Sequence, residues 1–303
     1  RIITDAPVAG LIRKGEAVCG VRFGDARTVF ARRGVVLAAG GFPHDIARKA
    51  ERFAHAPTGR EHHSAAPETN TGDGLRLGES VGGDIRADLV HDGAWAPVSL
   101  VPRKDGSVGR FPHLIERAKP GLIAVRSNGK RFANESNSYH DMMSALFDAL
   151  ASGEKAEAWL ICDHAFQRRY GLGYARPRPF SLAGVLASGY LKRGRTIRDL
   201  ALACGMDAEG LEATLTRYNE AAREGKDPEF GRGSSAYNRI QGEAEHHPDQ
   251  RRLAAPVRPE PRVAVTGRDV DRDVVDGGVR SEALRDVAQG DDVVHAGLPE
   301  GVP

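Results

Sequence analysis

One run of apolar residues, Gly34-Val-Val-Leu-Ala-Ala-Gly-Gly41, limits the folds open to this chain more than any other feature. Polar and apolar side chains do not alternate in it, which is typical of a strand buried on both faces, as in a parallel sheet. The run ends in Gly40-Gly41, where the lack of side chains lets a ligand approach the backbone closely. We predict a buried strand with a ligand-facing end here, while an ordinary strand-to-loop turn remains the alternative.

The segments around this run indicate a mixed α/β fold. Residues 2–32 contain short apolar runs separated by the turns Lys14-Gly15-Glu16 and Gly24-Asp25, the pattern of an antiparallel meander. Residues 97–120 are rich in Pro, Gly and charged residues, and we predict a loop between two domains there. Apolar spacing predicts strands over 121–125 and 156–162, and helices over 45–53, 75–81, 139–150, 197–203 and 209–224.

Composition excludes several classes of protein. The chain has 303 residues, enough for two domains, and Lys+Arg 43 against Asp+Glu 41 is too balanced for a dedicated nucleic-acid binder. No stretch approaches the ~20 apolar residues of a membrane span. Cys19, Cys162 and Cys204 lie too far apart in sequence to indicate a disulfide framework or a structural zinc site, and there is no HExxH motif. We expect a soluble, cytoplasmic protein without a metal ion.

The end of the chain differs from the rest. From Asp249 onward it contains no Phe, Trp, Tyr, Ile or Lys, and a segment without large aromatic side chains or Ile contributes little to a core. Our hypothesis is that this end is unstructured or read in a shifted frame. We therefore divide the chain into residues 1–94, residues 95–245 and an atypical tail over 246–303.

Three polar segments are candidates for chemistry, and each has a purely structural alternative. Thr71-Gly72-Asp73-Gly74 either contacts a phosphate or is a helix-capping turn. Residues 129–141 crowd Tyr139 and His140 together with an amide and a carboxylate. Either ring could move a proton, or the segment is a surface turn followed by a helix cap. Arg232, in a Gly-Arg-Gly bend, either holds a carboxylate or pins a loop.

Several short motifs, taken in order, identify a family that the chain resembles. They are Ala6-Pro-Val8, Gly34-Val-Val-Leu-Ala-Ala-Gly-Gly-Phe42, Asn70-Thr-Gly-Asp-Gly74, Ala94-Trp-Ala-Pro97, Gly121-Leu-Ile-Ala-Val125, Gly129-Lys-Arg-Phe-Ala-Asn-Glu135, Ser138-Tyr-His-Asp141, Phe230-Gly-Arg-Gly233 and Tyr237-Asn-Arg239. With these motifs the chain resembles the FAD-dependent oxidoreductases of the fumarate reductase/succinate dehydrogenase flavoprotein superfamily. Within that superfamily it is most similar to the 3-ketosteroid Δ1-dehydrogenase-like branch, from about residue 3 to about residue 248.

The resemblance implies a fold and a cofactor. The fold class is α/β: a partial Rossmann-like FAD-binding domain with a β-meander over residues 1–94, and an α+β cap domain over residues 95–245. The implied cofactor is FAD. Val8 would lie near its adenine side, and Ala39-Gly40-Gly41 and Thr71-Gly72-Asp73 would lie near the flavin.

The resemblance also implies roles in catalysis. Tyr139 has the position of an active-site tyrosine in the steroid dehydrogenases, where it would help remove a substrate proton while a hydride passes to the flavin. His140 is the second catalytic candidate. The candidate substrate-binding residues are Trp95, Asn134 and Arg232.

Two departures from the fumarate reductases bear on the substrate. Those enzymes carry an active-site His where this chain has Ala94-Trp95, and an Arg where this chain has Ser138-Tyr139-His140. We therefore expect a dehydrogenase that introduces a C=C bond next to the carbonyl of a steroid or other cyclic ketone, a small-molecule substrate, and passes electrons to an unknown acceptor. The alternatives are a fumarate-type reductase of an unsaturated acid and an inactive fragment.

Two parts of the family pattern are missing from this sequence. Neither the N-terminal GxGxxG fingerprint nor the Gly-rich C-terminal flavin segment is present, and the first residue is Arg1. We therefore expect the chain to be a fragment that does not bind FAD tightly by itself.

Overall fold

The computed structural model describes residues 2–86, 88–242 and 293–297. The chain divides into two compact units, Arg1–Ala94 and Trp95–Pro303. Every strand pairing among the described residues is antiparallel. None of the described helices has the length and apolar character needed to cross a membrane. The described fold thus combines helices with antiparallel sheets.

The first unit begins with the predicted meander. Strands β1 (Val8–Lys14), β2 (Ala17–Phe23) and β3 (Thr28–Phe30) form one sheet in the order β1-β2-β3, which confirms the prediction. Gly20 of β2 faces the backbone of β3, and a Cβ there would lie 2.5 Å from the backbone oxygen of Val29. A side chain at this position would push the strands apart.

Two seven-residue helices follow in the first unit. Helix α1 (Ile46–Arg52) begins as predicted, and the Asp45 side chain caps it by accepting a hydrogen bond from the Arg48 N–H at 3.1 Å. Helix α2 (Asp73–Glu79) begins at Gly72, whose φ of 84° is left-handed and which forms no side-chain cap. Neither Thr71 nor Asp73 therefore caps α2 with its side chain, as the helix-capping alternative for this turn would require.

The apolar run over residues 34–41 is not a strand, so the prediction of a strand buried on both faces is wrong. Val36 is 89% exposed and Leu37 is 41% exposed. A buried strand needs neighbours that satisfy its backbone and cover its faces, and none of the described strands pairs with this run. The parallel, Rossmann-like sheet predicted around it is not formed by the described residues.

The second unit begins with a hairpin in the segment predicted to be a loop. Strands β4 (Val98–Pro102) and β5 (Val108–Pro112) pair antiparallel, and a 3-10 helix follows over Glu116–Ala118. The turn between the strands carries the loop-like composition, including Gly106 with a φ of 81°. The prediction for residues 97–120 is therefore wrong, because turn residues dominated the composition of a segment with two short strands.

A four-stranded antiparallel sheet forms the centre of the second unit. Its strands, in spatial order, are β6 (Leu122–Val125), β7 (Trp159–Asp163), β9 (Val293–Gly297) and β8 (Leu191–Gly194). All four residues of β6 are buried, which confirms the predicted strand there. The predicted strand over 156–162 is likewise present, starting three residues later.

Helices cover both faces of this sheet. The described helices of the unit are α3 (Tyr139–Ala149), α4 (His164–Tyr170), α5 (Ala183–Ala187), α6 (Ile197–Cys204), α7 (Ala208–Arg223) and α8 (Ala236–Gly242). Leu122 of β6 packs in one apolar cluster with residues of α3, and Ile123 packs in another with residues of α6 and α7. These three helices confirm the predictions, whereas the shorter α4, α5 and α8 were not predicted.

The tail contributes one element to this sheet. Residues 293–297 form β9, which pairs with both β7 and β8. They belong to the segment for which we expected no folded element. Residues 246–292 and 298–303 lie outside the described residues, so the prediction for them stays a prediction.

Candidate functional site

The two glycine segments predicted to lie near a flavin meet in the first unit. The Gly72 N–H donates a hydrogen bond to the Gly41 backbone oxygen at 3.1 Å. Gly40 has a φ of 74°, and a Cβ there would lie 2.9 Å from the side-chain nitrogen of Asn70. The two segments therefore lie backbone to backbone, with no side chain between Gly41 and Gly72.

Arg76 of α2 fixes the second of these segments. Its guanidinium donates to the backbone oxygen of Thr71 and to the carboxylate of Asp73, and lies 3.2 Å from a carboxylate oxygen of Asp45. The Thr71 hydroxyl also donates to Asp73 at 3.2 Å. The hydrogen bonds of Arg76, Thr71 and Asp73 thus hold the turn in shape without a ligand.

The described residues fit the flavin-facing part of an FAD site. A flat ring can lie close to a backbone only where side chains are absent. A Cβ on Gly41 would meet only Pro43, at 3.8 Å, so this face of the segment is open. Val8, the predicted adenine-side residue, is the first residue of β1 and is 37% exposed.

Tyr139 is the first residue of α3 in the second unit. The Ser138 side chain caps this helix by accepting a hydrogen bond from the Asp141 N–H at 3.1 Å, as predicted. Met142 and Leu146 of the same helix are 2% and 1% exposed and anchor it in the core, whereas Tyr139 is 41% exposed. The structure thus places the phenol at the surface of a firmly held helix.

His140 and Trp95 lie in direct contact. The Trp95 backbone N–H donates to Nδ1 of His140 at 3.1 Å. The Trp95 ring, 6% exposed, packs edge-on against Phe147 with ring centroids 5.6 Å apart. A ring nitrogen that accepts a hydrogen bond carries no hydrogen, so in the neutral ring the hydrogen is assigned to Nε2.

A buried ionic network around Glu135 was missed by the sequence analysis. Glu135 is 0% exposed and accepts hydrogen bonds from the Ala124 N–H at 3.0 Å, from Arg131 at 2.9 and 2.7 Å and from Arg232 at 3.3 Å. Arg131 also forms two hydrogen bonds with Asp227, at 2.8 and 2.9 Å. The four-residue spacing of Arg131 and Glu135 was a signal for their pairing, but no local signal links them to Asp227.

The network shifts the pKa values of Arg131 and Asp227. Burial alone would lower the pKa of Arg131, but the negative charge of Glu135 and hydrogen bonds to Glu135 and Asp227 raise it above its ordinary value. Burial alone would raise the pKa of Asp227, but its hydrogen bonds to Arg131 hold it below its ordinary value. Arg131 also lies over the rings of Tyr218 and Phe230, at 4.8 and 4.9 Å from their centroids. The arrangement keeps Arg131 and Asp227 charged inside the protein.

Two of the predicted substrate-binding residues, Arg232 and Asn134, bind distant parts of the chain through their side chains, and Arg232 belongs to the same network. Both terminal nitrogens of Arg232 donate to backbone oxygens within residues 118–122, at 2.6 to 2.9 Å. The Asn134 side-chain nitrogen donates to Asn238 at 2.8 Å and to the backbone oxygen of Phe230 at 3.2 Å. These contacts join the chain near residue 230 to β6, as the loop-pinning alternative for Arg232 requires.

A second tyrosine, Tyr190, was also missed and is structural. It is 2% exposed, lies 2.7 Å from the Ser99 hydroxyl and accepts a hydrogen bond from the Tyr174 N–H at 2.9 Å. Burial raises its pKa above the ordinary value. The Tyr190 hydroxyl is therefore buried and hydrogen-bonded inside the protein.

Comparison with known proteins gives the same family as the motifs. The FAD binding domain family matches residues 1–274. The chain is 38% identical over 245 residues to 4-oxocyclohex-2-ene-1-carboxylate 5-dehydrogenase of Sinomonas cyclohexanicum, over 81% of this chain and 40% of that protein. It is 34% identical over 231 residues to 3-oxosteroid 1-dehydrogenase of Mycobacterium tuberculosis, over 74% of this chain and 39% of that protein.

A solved structure shows the same relationship in three dimensions. The 3-ketosteroid Δ1-dehydrogenase of Sterolibacterium denitrificans, solved in complex with 1,4-androstadiene-3,17-dione, superposes with a TM-score of 0.70 at 28% identity. The match covers 97% of this chain and 47% of that enzyme. The chain spans about two-fifths of the length of the curated relatives that it matches. It belongs to the FAD-binding flavoprotein oxidoreductases, a family whose cofactor is FAD, as the motifs predicted.

Proposed function

We propose that this chain is part of an FAD-dependent dehydrogenase that introduces a C=C bond next to the carbonyl of a cyclic ketone. The observation that carries the proposal is the exposure of Tyr139 at the capped start of α3, a helix that its buried residues Met142 and Leu146 anchor in the core. The dehydrogenases of cyclic and steroid ketones among the relatives support the reaction type.

The reaction removes two hydrogens from adjacent carbons. The C–H next to the carbonyl loses a proton to Oη of Tyr139, which must be a phenolate to accept it, and the electron pair left behind forms the C=C bond as a hydride leaves the neighbouring carbon. When bound, FAD supplies the acceptor for that hydride. The backbone segments at Gly41 and Gly72 would hold the flavin, and the substrate is oxidised by two electrons in total.

The contacts of Trp95 and Arg232 favour a ketone over a dicarboxylic acid. Trp95 is buried against Phe147 at the position where fumarate reductases carry a catalytic His. Both terminal nitrogens of Arg232 donate hydrogen bonds to backbone oxygens, and one of them also donates to Glu135. A substrate carboxylate would therefore have to displace these buried contacts to reach this arginine.

The test compares two exposed tyrosines, Tyr139 and Tyr174, in FAD-loaded protein. Loading is followed by flavin absorbance near ~450 nm, a property of the cofactor. Tyr139→Phe should lower turnover of a cyclic ketone by roughly 10²-fold or more, since it removes the proton acceptor, with the flavin colour unchanged. Tyr174→Phe is the matched control, because Tyr174 is 49% exposed and contacts Tyr190 through its backbone N–H and its ring, both of which the substitution keeps.

Three outcomes would contradict the proposal. Unchanged turnover in Tyr139→Phe would remove the tyrosine from the reaction. Reoxidation of reduced protein by fumarate, without bleaching by a cyclic ketone, would favour the acid reductase. Protein that gains no flavin absorbance when FAD is supplied would show that this chain is an inactive fragment.

A further inference from the structure

We propose that His140 is a positioning residue for Tyr139 and not a second base. Its Nδ1 accepts the Trp95 backbone N–H and thereby fixes the first turn of α3, which carries the tyrosine. This inference rests on the proposed function, because it assigns His140 a task only if Tyr139 takes part in the reaction.

Helix α3 is fastened to Trp95 at two places. The first is the hydrogen bond of 3.1 Å between the Trp95 nitrogen and Nδ1 of His140. The second is the edge-on packing of the Trp95 ring on Phe147. His140 and Phe147 are seven residues apart and so lie on one face of the helix, about 10 Å from each other along its axis. Two contacts at this spacing restrain the tilt of α3.

The same hydrogen bond makes His140 unsuited to take the substrate proton. Nδ1 is occupied by the Trp95 N–H, and Nε2 of the neutral ring already carries a hydrogen. Proton uptake at Nδ1 would first require that bond to break. The imidazole therefore serves as a fixed acceptor for the backbone, and Tyr139 is left as the group that meets the substrate.

Position matters to a proton acceptor as much as chemistry does. A displacement of about 1 Å in a reacting group can cost on the order of 10²-fold in rate. Ser138 alone would hold the backbone of the first turn of α3, but His140 connects that turn to residue 95. Loss of the Nδ1 acceptor should therefore lower turnover through Tyr139.

Three substitutions of His140 separate positioning from base catalysis. In His140→Asn the amide oxygen takes the place of Nδ1, in His140→Gln it takes the place of Nε2, and His140→Leu offers no acceptor. We expect the Asn variant to keep turnover within about 3-fold of the parent, and the Gln and Leu variants to lose roughly 10- to 100-fold in kcat with little change in KM. The dependence of turnover on pH in the Asn variant should show the same fall at low pH and at high pH as in the parent. Equal losses in all three variants, with one of these two falls gone, would identify His140 as a base and overturn the proposal.

A second measurement does not depend on activity. Hydrogen exchange of the Trp95 amide in the ligand-free protein should stay slow in His140→Asn and become fast in His140→Gln. Because the Gln and Asn variants are both polar amides, a general loss of folding cannot produce that difference. Equal exchange of the Trp95 amide in the two variants would refute the contact on which the inference depends.

The double variant distinguishes this inference from the proposed function. In a Tyr139→Phe background, His140→Leu should cause no further loss of turnover, since His140 acts through the tyrosine. An additive loss would show that His140 acts independently and would overturn the inference. Full turnover in Tyr139→Phe alone would instead overturn the proposed function, while the exchange result for Trp95 would stand.

Discussion

Replacing Glu135 with Gln removes the negative charge at the centre of the buried network but keeps the shape of the side chain. Glu135 accepts hydrogen bonds from the Ala124 N–H, from Arg131 and from Arg232, and none of its surface is exposed. In the variant Arg131 would still pair with Asp227, but the buried guanidinium of Arg232 would lose the carboxylate with which it pairs at 3.3 Å. Removing one partner of a buried ion pair typically costs about 3–5 kcal/mol, because the other charge stays buried without compensation. We expect a loss of this size in the free energy of unfolding of the second unit.

Glu229 offers a matched control for the same arginine. Its carboxylate lies 3.7 Å from Arg131, but its side chain is 42% exposed. An exposed pair of this kind contributes about 0–1 kcal/mol, so Glu229→Gln should change the free energy of unfolding by less than about 1 kcal/mol. Both substitutions remove one charge near one guanidinium, and they differ mainly in burial.

Tryptophan fluorescence during urea denaturation is a suitable assay. The chain has two tryptophans, Trp95 and Trp159, and both lie in the second unit. Their signal therefore reports the unfolding of the unit that contains Glu135. Losses in Glu135→Gln and Glu229→Gln that agree within about 1 kcal/mol, at an unchanged dependence on denaturant, would refute the argument that burial makes the Glu135 charge indispensable.

Two further predictions concern the first unit. Nε2 of His55 and Nδ1 of His62 lie 3.0 Å apart, and burial lowers the pKa of His55 to about 4 and that of His62 to about 3. The unfolded chain therefore binds more protons below about pH 6.5, so thermal unfolding midpoints should fall as the pH decreases from 6.5 towards 4; an equally steep fall in His62→Phe would contradict this. Gly20→Ala should destabilise the meander by roughly 1–3 kcal/mol through the contact of 2.5 Å with Val29, whereas Gly24→Ala, whose nearest contact is 3.8 Å, should change stability by less than about 0.5 kcal/mol. Denaturant unfolding followed by circular dichroism checks the pair of glycines, and equal effects would refute the steric argument.

Features set by a few adjacent residues could be predicted from the sequence. The Gly-containing turns of the meander, the start of α1 at Asp45 and a polar cap before α3 are all confirmed. In each case the deciding hydrogen bonds join residues no more than a few positions apart, so a short stretch of sequence contains all the participants.

Features that depend on distant residues could not be predicted in this way. The run over 34–41 has the composition of a buried strand, but whether it becomes one depends on strands elsewhere, and its Val36 is 89% exposed. The bond from Arg131 to Asp227 spans 96 positions, and β9 inserts between β7 and β8 from the far end of the chain. The composition of a segment indicates whether it requires burial or pairing, but it does not indicate which distant segment provides them.

The same distinction separates the proposed catalytic residue from structural polar residues within one motif. Asn134, Glu135 and Tyr139 lie within six positions, and by residue type all three are candidates for chemistry. Asn134 and Glu135 are 6% and 0% exposed and direct their polar atoms to other parts of the chain, whereas Tyr139 is 41% exposed. A side chain whose donors and acceptors already bind the protein can reach a substrate only by breaking buried hydrogen bonds, at a cost of about 1–3 kcal/mol for each group left unpaired. The buried pair therefore serves to hold the segment in place, and Tyr139 is the member of the motif that can bind a substrate at no such cost.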